Sequence, residues 1–179
     1  MIDYTDVRFF NLLVSCGRNL EHRALREIVE YIKELGDDKV IGRPLGLHGL
    51  VGVRTSLNVF DVVKRIREDA QQDPWKFKFI LKVVPIERMC EANIETIKKC
   101  VAELKHKIKK NEKFKVVVRK RSSALSGHDV IYEVAELFNN PVDLENPDKI
   151  VAVEIIGNLA GVSILSSEDI VSIAKFKGL

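Results

Sequence analysis

The chain has 179 residues, which is enough for one sizeable domain or two small ones, and its hydrophobic content of 46% is ordinary for a globular protein. No apolar run approaches the roughly 20 residues that cross a bilayer, so no membrane span is predicted. The first ten residues carry two acids and no apolar segment after a basic start, so no secretory signal is predicted either. Cys16, Cys90 and Cys100 form no CxxC pair, which predicts thiols of a reducing cytoplasm and no zinc site.

The first half of the chain alternates strand-like and helix-like patterns. The predicted order is strand, helix, strand, strand, helix, strand, which is the split βαβ, ferredoxin-like arrangement. Thr55 or Ser56 is expected to cap the second helix. We expect this domain to span residues 1–84. In chain order, the patterns predict a strand at 9–15, a helix at 21–35, strands at 40–41 and 50–54, a helix with its apolar stripe at 59–66, and a strand at 75–84.

The second half, residues 85–179, is predicted to form an α/β domain. Asn93 is a good cap for a basic amphipathic helix, and Ser126 with Asp129 three residues later predicts the start of another helix. The overall fold class is therefore α/β (α+β), a ferredoxin-like βαββαβ domain followed by an α/β domain. The predicted elements are an apolar helix stripe at 94–108, a strand at 114–121, a helix from 126, a short strand at 142–144, buried central strands at 149–156 and 161–165, and a short helix within 167–179.

Positive charge is concentrated in the middle of the chain. The stretch 98–121 contains eleven basic and two acidic residues, whereas residues 1–97 sum to zero and residues 122–179 sum to −6. The modest total of +3 therefore hides a strongly polarised chain. A solvated surface like that of thermophile proteins is one explanation. The near absence of acids within the cluster favours a polyanion partner, and nucleic acid in particular.

A candidate phosphate or RNA site lies where the basic strand ends. Arg119, Lys120 and Arg121 lead toward the helix that begins near Ser126, and a helix N-terminus offers free N–H groups to a phosphate. Gly127 in the first turn would let a ligand approach the backbone closely. The alternative is a capped helix beside a solvated loop. The predicted RNA-binding residues are Lys98, Lys105, Lys109, Lys110, Lys113, Lys115, Arg119, Lys120, Arg121, Ser126 and Gly127.

Catalytic and cofactor signatures are missing from the sequence. It contains no GxGxxG and no GxxxxGK[ST] motif, and no histidine has a nucleophile at a suggestive spacing. Asp143, Glu145 and Asp148 crowd one loop, where capping is favoured over cation binding. We therefore predict no catalytic residues, no cofactor, no metal site and no enzymatic activity.

Three segments resemble a THUMP domain. They are EKFKVVVRKRSS at 112–123, HDVIYEVAELF at 128–138 and VDLENPDKIVAVEIIG at 142–157. The family pattern is a strand ending in paired basic residues, a helix, an L-x-N-P-D loop and a strand ending in V-E-I. Residues 1–84 resemble the ferredoxin-like domain that accompanies THUMP domains, and DPWKFKFILKVVPIE at 73–87 is similar to the THUMP adaptors of tRNA acetylation.

The resemblance implies tRNA binding through both domains, and it transfers most directly to the basic pair Lys120 and Arg121. It implies a non-catalytic adaptor that presents tRNA to a separate enzyme, a cytidine N4-acetyltransferase in the adaptor subgroup. One alternative is a THUMP subunit of another tRNA-modifying enzyme, such as a methyltransferase or a thiolation enzyme. Another is a small ferredoxin-like enzyme of acylphosphatase type. Such an enzyme needs an arginine in a glycine-rich loop and an asparagine that positions water, and Gly17-Arg18-Asn19 weakly resembles this arrangement.

Overall fold

The structure, a computed structural model, describes residues 9–179. The residues used to predict the absence of a secretory signal, and the start of the first predicted domain, lie largely outside this part of the chain. The chain divides into two compact units. One unit runs to Pro85 and also includes Glu168–Leu179, and the other is Ile86–Ser167.

The first unit is a five-stranded antiparallel sheet with two long helices. Its strands lie in the order β2 (Ile41–Pro44), β3 (Leu50–Arg54), β1 (Leu12–Cys16), β4 (Ile80–Pro85) and β9 (Val171–Ser172). β1 therefore lies between β3 and β4, as in a ferredoxin-like fold. The apolar stripes of the helices, including Ile28, Ile32 and Ile66, are fully buried against the sheet. This confirms the ferredoxin-like domain that the pattern predicts. The elements are β1 (Leu12–Cys16), α1 (Glu21–Glu34), β2 (Ile41–Pro44), β3 (Leu50–Arg54), α2 (Val59–Gln72) and β4 (Ile80–Pro85).

The end of the chain returns to this unit. After Ser167–Asp169 the chain forms β9 (Val171–Ser172), which pairs antiparallel with β4, and then α5 (Ile173–Phe176). The sequence-based division assigns these residues to the second domain, and the structure differs from it here. The reason is that a strand of two residues has no periodicity of its own and forms only because the edge of β4 is available.

The fourth strand begins later than predicted. Pro74–Lys76 form a 3₁₀ turn, in which the Asp73 carboxylate accepts from the Trp75 N–H at 3.1 Å. Lys78, Phe79 and Ile80 then donate their N–H groups to the Glu27 carboxylate of α1 at 2.8–3.1 Å. These donors are therefore satisfied by a side chain instead of a neighbouring strand.

The second helix is capped by a different residue from those predicted. The Asn58 side chain accepts from the N–H groups of Phe60 and Asp61 at 3.0 and 3.2 Å. The Thr55 hydroxyl instead donates to the buried Asp37 carboxylate at 2.7 Å, and the Ser56 N–H donates to the same oxygen. Both predicted caps are thus engaged in a buried cluster before the helix starts.

The second unit is a four-stranded mixed sheet in the order β5-β8-β7-β6, in which β6 and β7 are parallel and the other pairs antiparallel. Two helices cover one face, with Ile97, Val101 and Val130 fully buried against the sheet. The continuous apolar strands β7 and β8 are central, as predicted. The elements are β5 (Arg88–Glu91), α3 (Ile94–Leu104), β6 (Phe114–Arg121), α4 (Gly127–Ala135), β7 (Lys149–Ile156) and β8 (Leu159–Leu165).

Several boundaries of this unit differ from the predicted ones. The basic helix ends at Leu104 and continues as a 3₁₀ turn, Lys105–Lys107. Strand β5 was not predicted, because four residues of mixed polarity have no clear period. The predicted strand at 142–144 is reduced to one bridge between Val142 and Phe114.

Candidate nucleic-acid interface

The basic stretch is spread along the whole length of β6. This strand of eight residues separates its two ends by about 23 Å. Lys109, Lys110 and Lys113 precede it at the amino end, and Arg119–Arg121 close it at the carboxyl end. The structure therefore does not bring all the predicted RNA-binding residues into one site, and the two ends have different surroundings.

At the carboxyl end, two cations are available to a ligand. Arg119 and Lys120 are exposed. Within residues 9–179 the Arg119 guanidinium has no hydrogen-bonding or ionic partner, and the Lys120 ammonium donates to the Leu125 carbonyl oxygen at 2.8 Å. Because that contact is exposed and leaves two ammonium protons free, Lys120 can still bind a phosphate.

Arg121 is held by a buried acid. Its Nη1 donates to Oε2 of Glu154 at 2.8 Å, and Glu154 on β7 is only 4% exposed. A carboxylate this deep in a sheet requires a charged partner, which Arg121 supplies. Arg121 is therefore a less free phosphate ligand than the sequence analysis assumes. In the sequence, Glu154 is part of the V-E-I motif, and no pairing with Arg121 is predicted for it. An acid within an otherwise apolar strand could have indicated a buried ion pair.

The loop that follows β6 brings Lys120 to the start of α4. Ser122 adopts a positive φ of 57°, which is uncommon for a residue other than glycine. The Ser126 hydroxyl accepts from the Asp129 N–H at 3.2 Å, which is the predicted cap. Apart from the adjoining residues and the backbone of its own helix, no heavy atom lies within 4 Å of where a Cβ on Gly127 would be. Lys120, Ser126 and Gly127 therefore lie close together at the start of α4. Arg119 projects from the opposite face of the sheet at the same strand end, because side chains alternate along a strand.

At the amino end, acids are interleaved with the cations. Lys113 Nζ lies 3.6 Å from Oδ2 of Asp143, and Lys149 Nζ lies 2.7 Å from Oε2 of Glu112. The contact with Lys149 and the N–H of Lys109 lower the pKa of Glu112. The Asp143 pKa is lowered first by the N–H groups of Asn146 and Glu145, which its side chain caps. Asp143 thus has the capping role that the sequence analysis favours.

The remaining predicted residues have partial engagements. Lys98 on α3 forms an ion pair with Glu133 on α4 at 3.0 Å. Lys105 lies over the Phe138 ring, 5.8 Å from its centre, and the ammonium of Lys115 is 3.4 Å from the Leu144 carbonyl oxygen. Lys109 and Lys110 are exposed, and neither ammonium group forms an ion pair in the described part of the chain, although the charge of Lys109 helps to lower the pKa of Glu112.

The sequence predicts ordinary thiols at the cysteines, and the Gly17-Arg18-Asn19 loop is the feature that favours the acylphosphatase alternative. Burial, followed by the charge of Glu21, raises the pKa of Cys16 to about 11, and burial raises that of Cys90 to about 12. Both thiols are therefore protonated near neutral pH. Arg18 Nη2 lies 3.2 Å from His48 Nε2. Among residues 9–179, no three His, Cys, Asp or Glu side chains come close enough together to hold a metal ion.

None of the helices between residues 9 and 179 combines the length and the apolar character that crossing a membrane requires.

Comparison with known families identifies the class of the second unit. Residues 91–165 match the THUMP domain. The THUMP domain is an RNA-binding module associated with tRNA modification, and the matched residues follow the ferredoxin-like unit in the sequence.

Two curated relatives are similar in sequence. An uncharacterized protein of Methanocaldococcus jannaschii is 30% identical over 147 residues, covering 79% of this chain and 38% of that protein. A THUMP domain-containing protein 1 homolog of Drosophila melanogaster is 30% identical over 98 residues, covering 50% of this chain and 30% of that protein. The chain thus spans 38% or less of the length of these relatives.

Two solved structures share the fold. A Pyrococcus horikoshii protein superposes with a TM-score of 0.55 at 18% identity, covering 88% of this chain and 55% of that one. A 4-thiouridine synthetase, solved in complex with RNA and bound ATP, superposes with a TM-score of 0.54 at 18% identity, covering 91% of this chain and 42% of that one. At this identity the likeness establishes the fold alone.

Proposed function

We propose that this chain is a non-catalytic tRNA-binding adaptor that presents tRNA to a separate modifying enzyme. The observation that carries the proposal is the pair of exposed cations, Arg119 and Lys120, at the carboxyl end of β6 in the segment that matches the THUMP domain. Lys120 also contacts the loop that leads into α4. The modifying enzyme that we propose is a cytidine N4-acetyltransferase. The segment 73–87, which is similar to the adaptors of tRNA acetylation, supports this choice. We propose that the chain acts in the cytoplasm.

The site favours contacts to phosphate over contacts to base edges. Its ligands are a guanidinium, an ammonium and backbone N–H groups, and all three recognise phosphate oxygens. Phosphate contacts carry no sequence information of their own. We therefore infer that the chain recognises the shape of tRNA and that the partner enzyme selects the nucleotide.

The amino-end cations have a secondary role in this proposal. Lys109 and Lys110 add long-range attraction to RNA, whereas Lys113 and Lys149 are neutralised by nearby acids. Lys98, Lys105 and Lys115 extend the positive surface between the two ends. The carboxyl end of β6 therefore provides the main contacts to the bound RNA.

A reconstituted reaction tests the adaptor role. Purified chain and unmodified tRNA are incubated with acetyl donor, with and without a cytidine N4-acetyltransferase purified from the same source, and nucleosides are measured by mass spectrometry. We expect no modified nucleoside from the chain alone and a large stimulation of the acetyltransferase when the chain is added. Modification by the chain alone would disprove the adaptor role.

A second measurement separates the proposed enzyme from its alternatives. The chain is captured from native extract, and bound proteins and RNA are identified from the same sample. Recovery of a methyltransferase or a thiolation enzyme, with no acetyltransferase, would mean that the proposed partner enzyme is wrong. The proposal that the chain binds tRNA would stand. The likeness of fold to the 4-thiouridine synthetase supports thiolation as that alternative. The acylphosphatase alternative predicts hydrolysis of an acyl phosphate by the chain alone.

A further inference from the structure

Among residues 9–179, no strand lies beside one long edge of β6. β6 is the outermost strand of its sheet, with β7 on one side only. Seven of the eight residues of β7 are buried, whereas Lys115 to Val118 in the middle of β6 are only half-buried. A sheet edge of this kind presents unpaired N–H and C=O groups.

Hydrogen bonds at the two ends of β6 show which backbone groups face outward. The carbonyl oxygen of Lys113 accepts from Asp148 and Lys149, and that of Arg121 accepts from Gly157, so odd-numbered residues face β7. Backbone groups alternate in direction along a strand, so even-numbered residues face away.

The first outward residue, Phe114, agrees with this assignment. Its N–H donates to the Pro141 carbonyl, and its own carbonyl accepts from the Asp143 N–H, both at 3.0 Å. Beyond it, the outward N–H and C=O groups of Val116 and Val118 have no backbone partner within residues 9–179.

The chain begins to cover this edge and then turns away from it. After the bridge between Val142 and Phe114, the Asp143 carboxylate accepts from the N–H groups of Glu145 and Asn146 and closes a turn. Val142 and Leu144 remain 60% and 70% exposed. Within the described part of the chain, the edge therefore stays open from Val116 to the carboxyl end of the strand.

Charged and apolar side chains flank the open edge. Lys115 and Arg119 project from one face of the sheet, since they share the odd-numbered positions. On the other face lies α4, whose side toward α3 is marked by the Lys98–Glu133 ion pair. Ile131 is on the opposite flank of α4, toward the edge, and is 36% exposed.

We propose that the free edge of β6 binds an extended segment of a partner protein, with alternating acidic and apolar side chains, as an added strand. Its backbone pairs with Val116 and Val118, its acids contact Lys115 and Arg119, and its apolar side chains contact Ile131. This interaction goes beyond RNA binding. A second copy of this chain fits poorly, because two β6 strands would oppose their basic residues.

Binding of a model peptide tests the proposal. The probe is a short, fluorescein-labelled peptide of alternating glutamate and valine, and its affinity is measured by fluorescence anisotropy. The matched probe alternates glutamate with proline, so it has the same charge but cannot pair as a strand. We expect the valine probe to bind at least about tenfold more tightly. Equal binding of the two probes would overturn the proposal, because it would show attraction by charge alone.

Variants of the protein locate the binding surface. Val118→Pro removes an outward N–H and leaves the pairing with β7 in place, as edge strands permit. We expect it to weaken the valine probe about tenfold while tRNA affinity is retained. Ile131→Ala should also weaken the probe, whereas Tyr132→Ala, which alters the more exposed neighbour, should not. Unchanged probe binding by a folded Val118→Pro protein would disprove the edge as the site.

An N-methylated probe keeps the test decisive if Val118→Pro does not fold. Methylation of the valine nitrogens removes peptide donors without changing charge or the protein. Binding of this probe to the parent protein as tightly as the unmodified one would overturn the proposal. Because Val118→Pro leaves all basic residues in place, loss of peptide binding with intact tRNA binding is distinguishable from failure of the tRNA proposal.

Discussion

The two ends of β6 contain similar residues in different electrostatic surroundings. At the carboxyl end, Arg119 and Lys120 project into solvent, and the acid on the neighbouring strand, Glu154, is buried and already paired. At the amino end, Asp143 and Glu112 contact two of the lysines. A count of basic residues does not distinguish these ends. The availability of each cation decides where a phosphate binds.

The largest expected effect comes from removing the free cations. Arg119→Ala with Lys120→Ala should weaken tRNA binding about 30-fold to 150-fold, because two contacts of about 1–1.5 kcal/mol each are lost. The slope of log affinity against log salt should become shallower by about two. Filter binding over a salt series measures both quantities.

Two matched pairs serve as controls for that experiment. Lys109→Ala with Lys110→Ala removes the same charge at the amino end, and Lys64→Ala with Arg65→Ala removes it from α2 in the first unit. We expect each to weaken binding by less than the carboxyl-end pair. If either control loses more affinity, the comparison of the two ends is wrong.

The second largest effect is expected from a change to the ion pair between Glu154 and Arg121. Glu154→Gln should lower the free energy of unfolding by about 1–2 kcal/mol, less than the loss of a fully buried pair because Arg121 is partly exposed. It should also weaken tRNA binding a few-fold, since Arg121 loses its orientation. Urea denaturation and filter binding on one preparation measure the two effects. An unchanged free energy of unfolding would show that the ion pair between Glu154 and Arg121 does not stabilise the fold.

The third effect is the loss of the cap of α4. Ser126→Ala should reduce stability by about 1 kcal/mol, because the Asp129 N–H loses its acceptor. Ser126→Asp should restore stability, and it should weaken tRNA binding because a negative charge then occupies the proposed phosphate position. Ser123→Ala is the neighbouring control, since it removes the acceptor of the Leu125 N–H in the preceding loop and leaves the helix cap in place. A stable Asp variant with parental affinity would place the RNA elsewhere.

The smallest effect is the acid dependence at the amino end. The pKa values of Glu112 and Asp143 are lowered in the folded state, so their contribution to stability is present above their unfolded pKa values of about 4. It is lost as the pH falls through the folded values. Asp143→Asn should therefore flatten stability against pH below about pH 4. Carboxyl NMR titration checks the direction, and an ordinary Asp143 pKa would contradict it.

Local patterns in the sequence predict most of the regular elements. The stripe through Ile28 and Ile32 predicts α1, the alternation from Phe114 predicts β6 with its observed ends, and Ser126 predicts the start of α4. These elements follow from burial of one face and from a cap close in sequence. The THUMP motifs at 112–157 likewise lie within the matched residues 91–165.

Elements that depend on distant partners were missed. β5 and β9 are short, and each forms only by pairing with a strand far away in the sequence. The capping of α2 by Asn58 was missed because Thr55 and Ser56 bind Asp37, which lies eighteen or more residues earlier. The late start of β4 follows from Glu27 on α1, which no local pattern around Trp75 reveals.

The sequence by itself determined the order of the elements, the charge polarity and the class of domain, because periodicity, charge and motif are properties of neighbouring residues. The tertiary structure alone decided which cations are free, since pairing of Arg121 with Glu154 or of Lys113 with Asp143 depends on chain segments that are about thirty residues apart. It also decided that one edge of β6 stays open. Strand order in a sheet is set by long-range packing, and the basic pattern of β6 is the same at an edge or in the middle.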